Sequence, residues 1–168
     1  MLRPILAVAA LCAAPAFAQT DMTPAATAEV SGPDGIAGTV TLADTASGQV
    51  LVSVDLTGVP EGVHGIHLHE TGDCSADDFK SAGGHIAGDV DHGVMTASGP
   101  HPGDLPNATV GADGTLNVEY FNPTLSIADM VMDDDGAAFI VHSGADDYAS
   151  QPSGDAGSRI ACGVFTGE

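Results

Sequence analysis

The sequence predicts an all-β sandwich or barrel, on three observations. Apolar residues recur with period two in several short runs, turn dipeptides punctuate those runs, and no segment sustains helical periodicity over three turns. Val40 and Leu42 alternate with Thr39 and Thr41, which gives the first predicted strand. Val50, Val52, Val54 and Leu56 alternate with Gln49, Ser53 and Asp55 in the second. The run from His64 to His69 reads as a third, with Ile66 and Leu68 on one face. Leu116, Val118 and Tyr120 alternate with Thr115, Asn117 and Glu119, and the stretches 139–142 and 160–165 are rich in β-branched and aromatic residues. Pro33-Asp34-Gly35, Ser47-Gly48, Asp113-Gly114 and Asp135-Gly136 supply the turns.

Two stretches break the rhythm: 71–107 and 143–158, both rich in Gly, Asp, Ser and Pro and far longer than hairpin loops. Long ordered loops in a compact domain are usually functional. The chain has 168 residues, one domain's worth, with 23 acidic residues against 3 Lys and Arg, a formal charge of -20. Nucleic-acid binding needs clustered cations to hold phosphates, so that class is excluded.

Residues 1–18 (MLRPILAVAALCAAPAFA) carry one Arg, an apolar run and a terminal A-F-A, the pattern of a secretory signal peptide. The expected arrangement is a signal peptide over 1–18, a flexible leader over 19–31 and one domain over 32–168. The exported chain is periplasmic or secreted, with no membrane attachment after the signal is removed. Removal takes Cys12 with it and leaves Cys74 and Cys162, an even pair that in an oxidising compartment means one disulfide.

All seven histidines lie between His64 and His142. In the strand reading His67 and His69 share one face, about 6.5–7 Å apart at Cα and able to converge on one transition metal, while His64 points away. His85, His92, His101 and Asp104 in the long loop make a three-His, one-carboxylate set suited to Zn²⁺. His67 and His69 with a distant His such as His142 suit Cu²⁺. Spacing does not say whether the two sites share a ligand.

Five segments carry a resemblance: GIHLHE at 65–70, GDC at 72–74, SAGGH at 81–85, HPGDLPN at 101–107 and SGDAGSRIACGV at 153–164. In that order they closely resemble the copper/zinc superoxide dismutases, especially the exported bacterial branch, over about residues 38–165. The resemblance implies an eight-stranded Greek-key β-sandwich or barrel with two long functional loops, a metal loop and an electrostatic loop. It implies copper held by His67, His69, His85 and His142, and zinc held by His85, His92, His101 and Asp104, with His85 bridging. Asp146 would join a copper-site His to a zinc-site His, Arg159 would dock the superoxide anion, and Cys74 would pair with Cys162. Arg159 and His85 would be the catalytic residues, and the protein would be a monomer or a homodimer. The rival is a non-enzymatic relative that buffers metal, which the complete ligand set and Arg159 disfavour.

The chain departs from the family pattern at three places. Residues 86–91 replace an aromatic-Asn/Asp-Pro stretch and are shorter than their counterparts, which implies altered zinc geometry at His92. Ala149 stands where many exported members carry a Lys that draws in substrate. Lys80 and Arg159 are the only cations beyond the signal peptide, so the overall field repels an anion. That field implies an enzyme slower than the diffusion-limited members.

Overall fold

The computed structural model describes residues 23–167; the expected signal peptide and residues 19–22 of the leader lie outside them. Nine strands form: β1 (Ala26–Ser31), β2 (Ala37–Asp44), β3 (Val50–Thr57), β4 (Gly62–His64), β5 (Ile66–His69), β6 (Ala108–Val110), β7 (Leu116–Asn122), β8 (Ala138–His142) and β9 (Arg159–Gly167). The one α-helix among the described residues, α1 (Ile127–Met130), is a single turn capped by the Ser126 side chain.

Seven strands pair in the order β5-β8-β9-β1-β2-β3-β7, and β4 pairs with β6. Every pairing is antiparallel. β7 returns to lie beside β3 and β9 beside β1, the non-consecutive neighbours of a Greek key. The expected single strand over 64–69 is divided at Gly65, so the chain crosses from the two-stranded sheet to the large one there. That division is why nine strands appear where eight were expected.

Period-two alternation places Val40, Leu42, Val50, Val52, Val54, Leu56 and Leu116 in the core, together with Ile66, Leu68, Phe139 and Val141. The opposite face of β5 and β8 is buried as well, under the long loops. Ala138 and Ile140 pack there with Ala82, Cys162, Cys74 and Phe79. This second buried face is the floor on which the site is built.

The leader expected over 19–31 is corrected at its C-terminal end. Residues 26–31 are an inner strand that pairs with β2 on one side and β9 on the other, with Ala26 and Ala28 fully buried. The physical reason is edge pairing: without β1 the facing edges of β2 and β9 would have no partner for their backbone N–H and C=O groups. The small Ala side chains that made the segment look like a linker are the ones that fit between those strands.

Cys74 and Cys162, 88 positions apart in the sequence, are joined, with Cα atoms 5.9 Å apart. The bond ties the start of the metal loop to β9. Replacing both cysteines with serine is expected to destabilise the chain by about 2–5 kcal/mol, since a loop this long restricts the unfolded ensemble strongly. Denaturant unfolding with and without the substitutions checks it; an unchanged midpoint would refute it.

Candidate metal centre

Three backbone contacts bring the metal loop against β5. The Leu68 N–H donates to the Gly103 carbonyl, the Ile86 N–H donates to the Leu68 carbonyl, and the Gly103 N–H donates to the Ile86 carbonyl. A Cβ on Gly103 would meet the Leu68 carbonyl at 2.3 Å, so only glycine permits this approach. The result sets His85 beside His69 and Asp104 beside His67.

Seven residues, six buried histidines and the half-buried Asp104, thereby converge in two groups. His67, His69, His85 and His142 offer ring nitrogens that all lie within 4.8 Å of one another, and His85, His92, His101 and Asp104 do the same with ring nitrogens and a carboxylate oxygen. His85 belongs to both. The tertiary structure therefore answers the question of a shared ligand that spacing left open. His64 stands apart as expected: its ring is hydrogen-bonded to the carbonyls of His142 and Pro60, a structural role.

The donor atoms are specific. Nδ1 of His67 and Nε2 of His69, His85 and His142 are buried without any hydrogen-bond partner. Such orphaned polar atoms cost free energy unless something occupies them, and four lone pairs facing one point are what a transition metal ion requires. In the second group Nδ1 of His85 and Nδ1 of His92 each lie 2.9 Å from Asp104 Oδ1, and Nδ1 of His101 lies 3.4 Å from it. Three nitrogens crowding one carboxylate oxygen are the donor set of a closed zinc site.

The remaining ring nitrogens are oriented by the chain. His67 Nε2 donates to Asp146 Oδ2 at 2.6 Å, and His92 Nε2 donates to Asp146 Oδ1 at 3.1 Å. One carboxylate thus joins the two groups. His69 Nδ1 donates to the Gly83 carbonyl at 3.0 Å, which fixes its tautomer and leaves Nε2 free. Asp146 is held in turn by Asn107, whose side chain bonds both its backbone N–H and its carbonyl.

His92 is in place despite the short segment before it. The Gln151 side chain accepts from the His92 N–H at 3.0 Å and donates to the His92 carbonyl at 2.9 Å, so the electrostatic loop clamps the residue that the metal loop delivers. Sequence reading did not single out Gln151. Its signal was only a polar side chain inside a Pro/Gly/Ser-rich loop.

Burial keeps the imidazoles of His67, His69 and His142 neutral and ready to ligate. It pushes His67 down to about 4 against the opposing pull of Asp146, His142 down to about 3 and His69 down to about 2. Burial opposes ionisation of Asp146, yet the hydrogen bonds from His67, the Tyr148 N–H and His92 outweigh it and hold the carboxyl at about 2. Burial likewise opposes ionisation of Asp104, and its His85 and Gly93 hydrogen bonds hold it well below the usual carboxylate range.

These shifts predict acid lability of the metal-free chain. In the unfolded chain the imidazoles take protons below about pH 6.5, whereas His67 in the fold does so only near 4. The unfolded state therefore binds more protons in that window, and stability falls as pH drops through it, by up to about 1.4 kcal/mol per pH unit for each such imidazole. Asp146 adds a further loss below about 4. Denaturant midpoints of the metal-free chain between pH 7 and 4.5 check this, and a flat profile would contradict it.

His69, His85, His142 and Arg159 open onto one cavity of about 380 Å³. Arg159 is pinned at its rim by hydrogen bonds of 2.6 Å from Nη1 to the Phe79 carbonyl and from Nη2 to the Gly83 carbonyl. The Gly83 carbonyl thus serves both Arg159 and His69. A larger apolar groove of about 440 Å³, beside Phe121 and Tyr148, touches the metal groups only through His101 and Asp104 and has no cation in its lining.

A curled antiparallel Greek-key sheet with two four-donor groups sharing one imidazole defines an all-β protein built for a pair of metal ions. The chain belongs to the copper/zinc superoxide dismutase family: the family model described as copper/zinc superoxide dismutase (SODC) matches residues 36–165. It is 43% identical over 148 residues to the Superoxide dismutase [Cu-Zn] of Caulobacter vibrioides, covering 83% of this chain and 84% of that protein. It is 38% identical to Superoxide dismutase [Cu-Zn] 2 of Aquifex aeolicus, covering 82% and 84%. Among solved structures, a SOD-like protein from Bacillus subtilis superposes with a TM-score of 0.77 at 34% identity, over 82% of this chain and 96% of that one.

Proposed function

We propose that this chain is a superoxide dismutase, converting two superoxide anions and two protons into O₂ and H₂O₂. The observation that carries the reading is His85: its two ring nitrogens serve the two donor groups at once, and its orphaned Nε2 opens onto the cavity that Arg159 rims. His67, His69, His85 and His142 would hold copper, and His85, His92, His101 and Asp104 would hold zinc. Bound there, copper alternating between Cu²⁺ and Cu⁺ supplies the one-electron exchange with successive superoxide anions, and redox-inert zinc supplies charge and rigidity.

The chain's own residues do the rest. Arg159, permanently charged, docks the anion and orients it toward the histidines. His85 Nε2 is the atom that alternately takes up a proton and yields it to the peroxide product. Asp146 fixes the rings of His67 and His92, so that both groups keep one geometry through the cycle. The disulfide and the apolar run over 1–18 support action in the periplasm or outside the cell.

The test is superoxide consumption by the metal-reconstituted chain with metal analysis of the same sample. High activity at about one copper and one zinc per chain supports the reading. Full loading without activity would replace it with metal buffering. A second expectation concerns salt: with a formal charge of -20, the rate rises with ionic strength as repulsion is screened. A rate that falls steeply with salt would refute the repulsion.

A further inference from the structure

One peptide unit, between Gly83 and Gly84, serves two functional side chains. Its carbonyl accepts from His69 Nδ1 at 3.0 Å and from Arg159 Nη2 at 2.6 Å. Its other end, the Gly84 N–H, donates to Glu70 Oε1 at 2.9 Å, and the Glu70 N–H donates in turn to the Gly84 carbonyl at 2.9 Å. Gly83 has a φ of +73° and a ψ of −155°, a combination that only glycine adopts at low cost. A peptide between two glycines turns over with little steric resistance, so its hydrogen bonds set its orientation. Among the described residues Glu70 is the one side chain bonded to the N–H end. Its stem lies flat on the turn, where a Cβ on Gly83 would meet Glu70 Cγ at 2.9 Å.

We propose that Glu70 is a positioning residue for both the copper group and Arg159: its carboxylate holds the Gly83–Gly84 peptide in the orientation that gives His69 and Arg159 a common acceptor. Turning that peptide over would aim its N–H at two donors. His69 would lose the bond that fixes its tautomer and Arg159 one of its two anchors, in a single event. The Glu70 carboxylate opposes the turn twice, since it accepts the N–H in the native orientation and would face the carbonyl oxygen in the other. Bonding at the N–H end also polarises the peptide and strengthens the bonds at its carbonyl. Glu70 is absent from the lining of the cavity onto which His69 and Arg159 open, so it acts through the peptide and not as a charge at the rim. The proposal rests on the dismutase reading for the identity of the anion, but not for its geometry.

The experiment compares Glu70→Ala and Glu70→Gln in the zinc-loaded chain, without and with copper; zinc content and melting temperature serve as controls. Alanine leaves the Gly84 N–H without its acceptor, whereas glutamine offers an oxygen at the same reach without the charge. In the copper-free chain the His69 ring N–H, followed by NMR, is expected to exchange with solvent about tenfold faster in Glu70→Ala. With copper bound, azide affinity and superoxide consumption are each expected to fall about tenfold, and the copper absorption band to shift. Glu70→Gln is expected to recover the larger part of every change, because an acceptor at that point holds the peptide. Unchanged ring-proton exchange or unchanged azide affinity in Glu70→Ala overturns the proposal, as does a loss that Glu70→Gln leaves unrepaired. Should the unsubstituted copper-loaded chain prove inactive, the dismutase reading fails, and ring-proton exchange and azide affinity still decide the role of Glu70.

Discussion

Replacing His142 with alanine is expected to cut superoxide consumption by more than about a hundredfold while leaving zinc bound. Loss of a residue that merely orients a ligand costs about 10–100-fold in metal affinity, and His142 offers its own orphaned Nε2 to the copper group. It contributes nothing to the second group, so zinc content is the internal control. The backbone bonds of His142, to Gly65 and from the His64 ring, do not involve its side chain and persist in the variant. The fold therefore survives, with a melting temperature lowered by the small cavity left on the loop-covered face of β8. Metal analysis and the activity assay on one preparation check it. Retained activity at full copper loading would remove His142 from the copper set, and loss of both metals would show that its role is structural.

The second large effect is expected at Gly154, which holds no metal. A Cβ there would lie 1.9 Å from Asp146 Oδ1 and 2.6 Å from His92 Nε2, so Gly154→Ala must displace the carboxylate that joins His67 to His92. Affinity for both metals is expected to fall about 10–100-fold, since one displaced carboxylate releases a ligand in each group. Gly154 also has a φ of +71°, and alanine pays for that backbone alone. Gly48→Ala separates the two causes: φ is +82° there, with nothing within 4 Å of the added Cβ. A smaller loss of stability in Gly48→Ala than in Gly154→Ala, with metal affinity lost only in Gly154→Ala, is the expected pattern. Unchanged metal affinity in Gly154→Ala would mean that the Asp146 bridge does not matter for binding.

The acidity of the chain gives these sites an unusual setting. A carboxylate-rich surface favours capture of cations and disfavours approach of an anion, so the local charges at the cavity mouth decide the rate. Arg159 is fixed by two backbone carbonyls and cannot swing to compensate for a lost neighbour.

The sequence by itself determined much of this protein. Period-two runs marked the strand regions at 39–42, 49–56, 64–69 and 115–120, because successive side chains of a strand take opposite faces, and β-branched and aromatic enrichment marked 139–142 and 160–165. The two long loops were legible from composition, and the histidines and Asp104 from their chemistry, since imidazoles so concentrated in a chain nearly devoid of lysine and arginine have few other uses. β1 and β6 were not legible. β1 is held by two neighbours distant in sequence, and β6 is three residues long, paired only with β4. Only the tertiary structure decided that His85 serves both groups, that Gln151 clamps His92, that Gly154 makes room for Asp146 and that Lys80 is paired. His92 and Gln151 lie 59 positions apart, His85 gathers partners from the metal loop and two strands, Gly154 faces His92 as well as Asp146, and the Lys80 pair depends on Lys80 and Asp78 turning toward one another at the cavity mouth. Local pattern records which face a side chain takes; long-range contacts, closed by the loops and the disulfide, decide what it meets there.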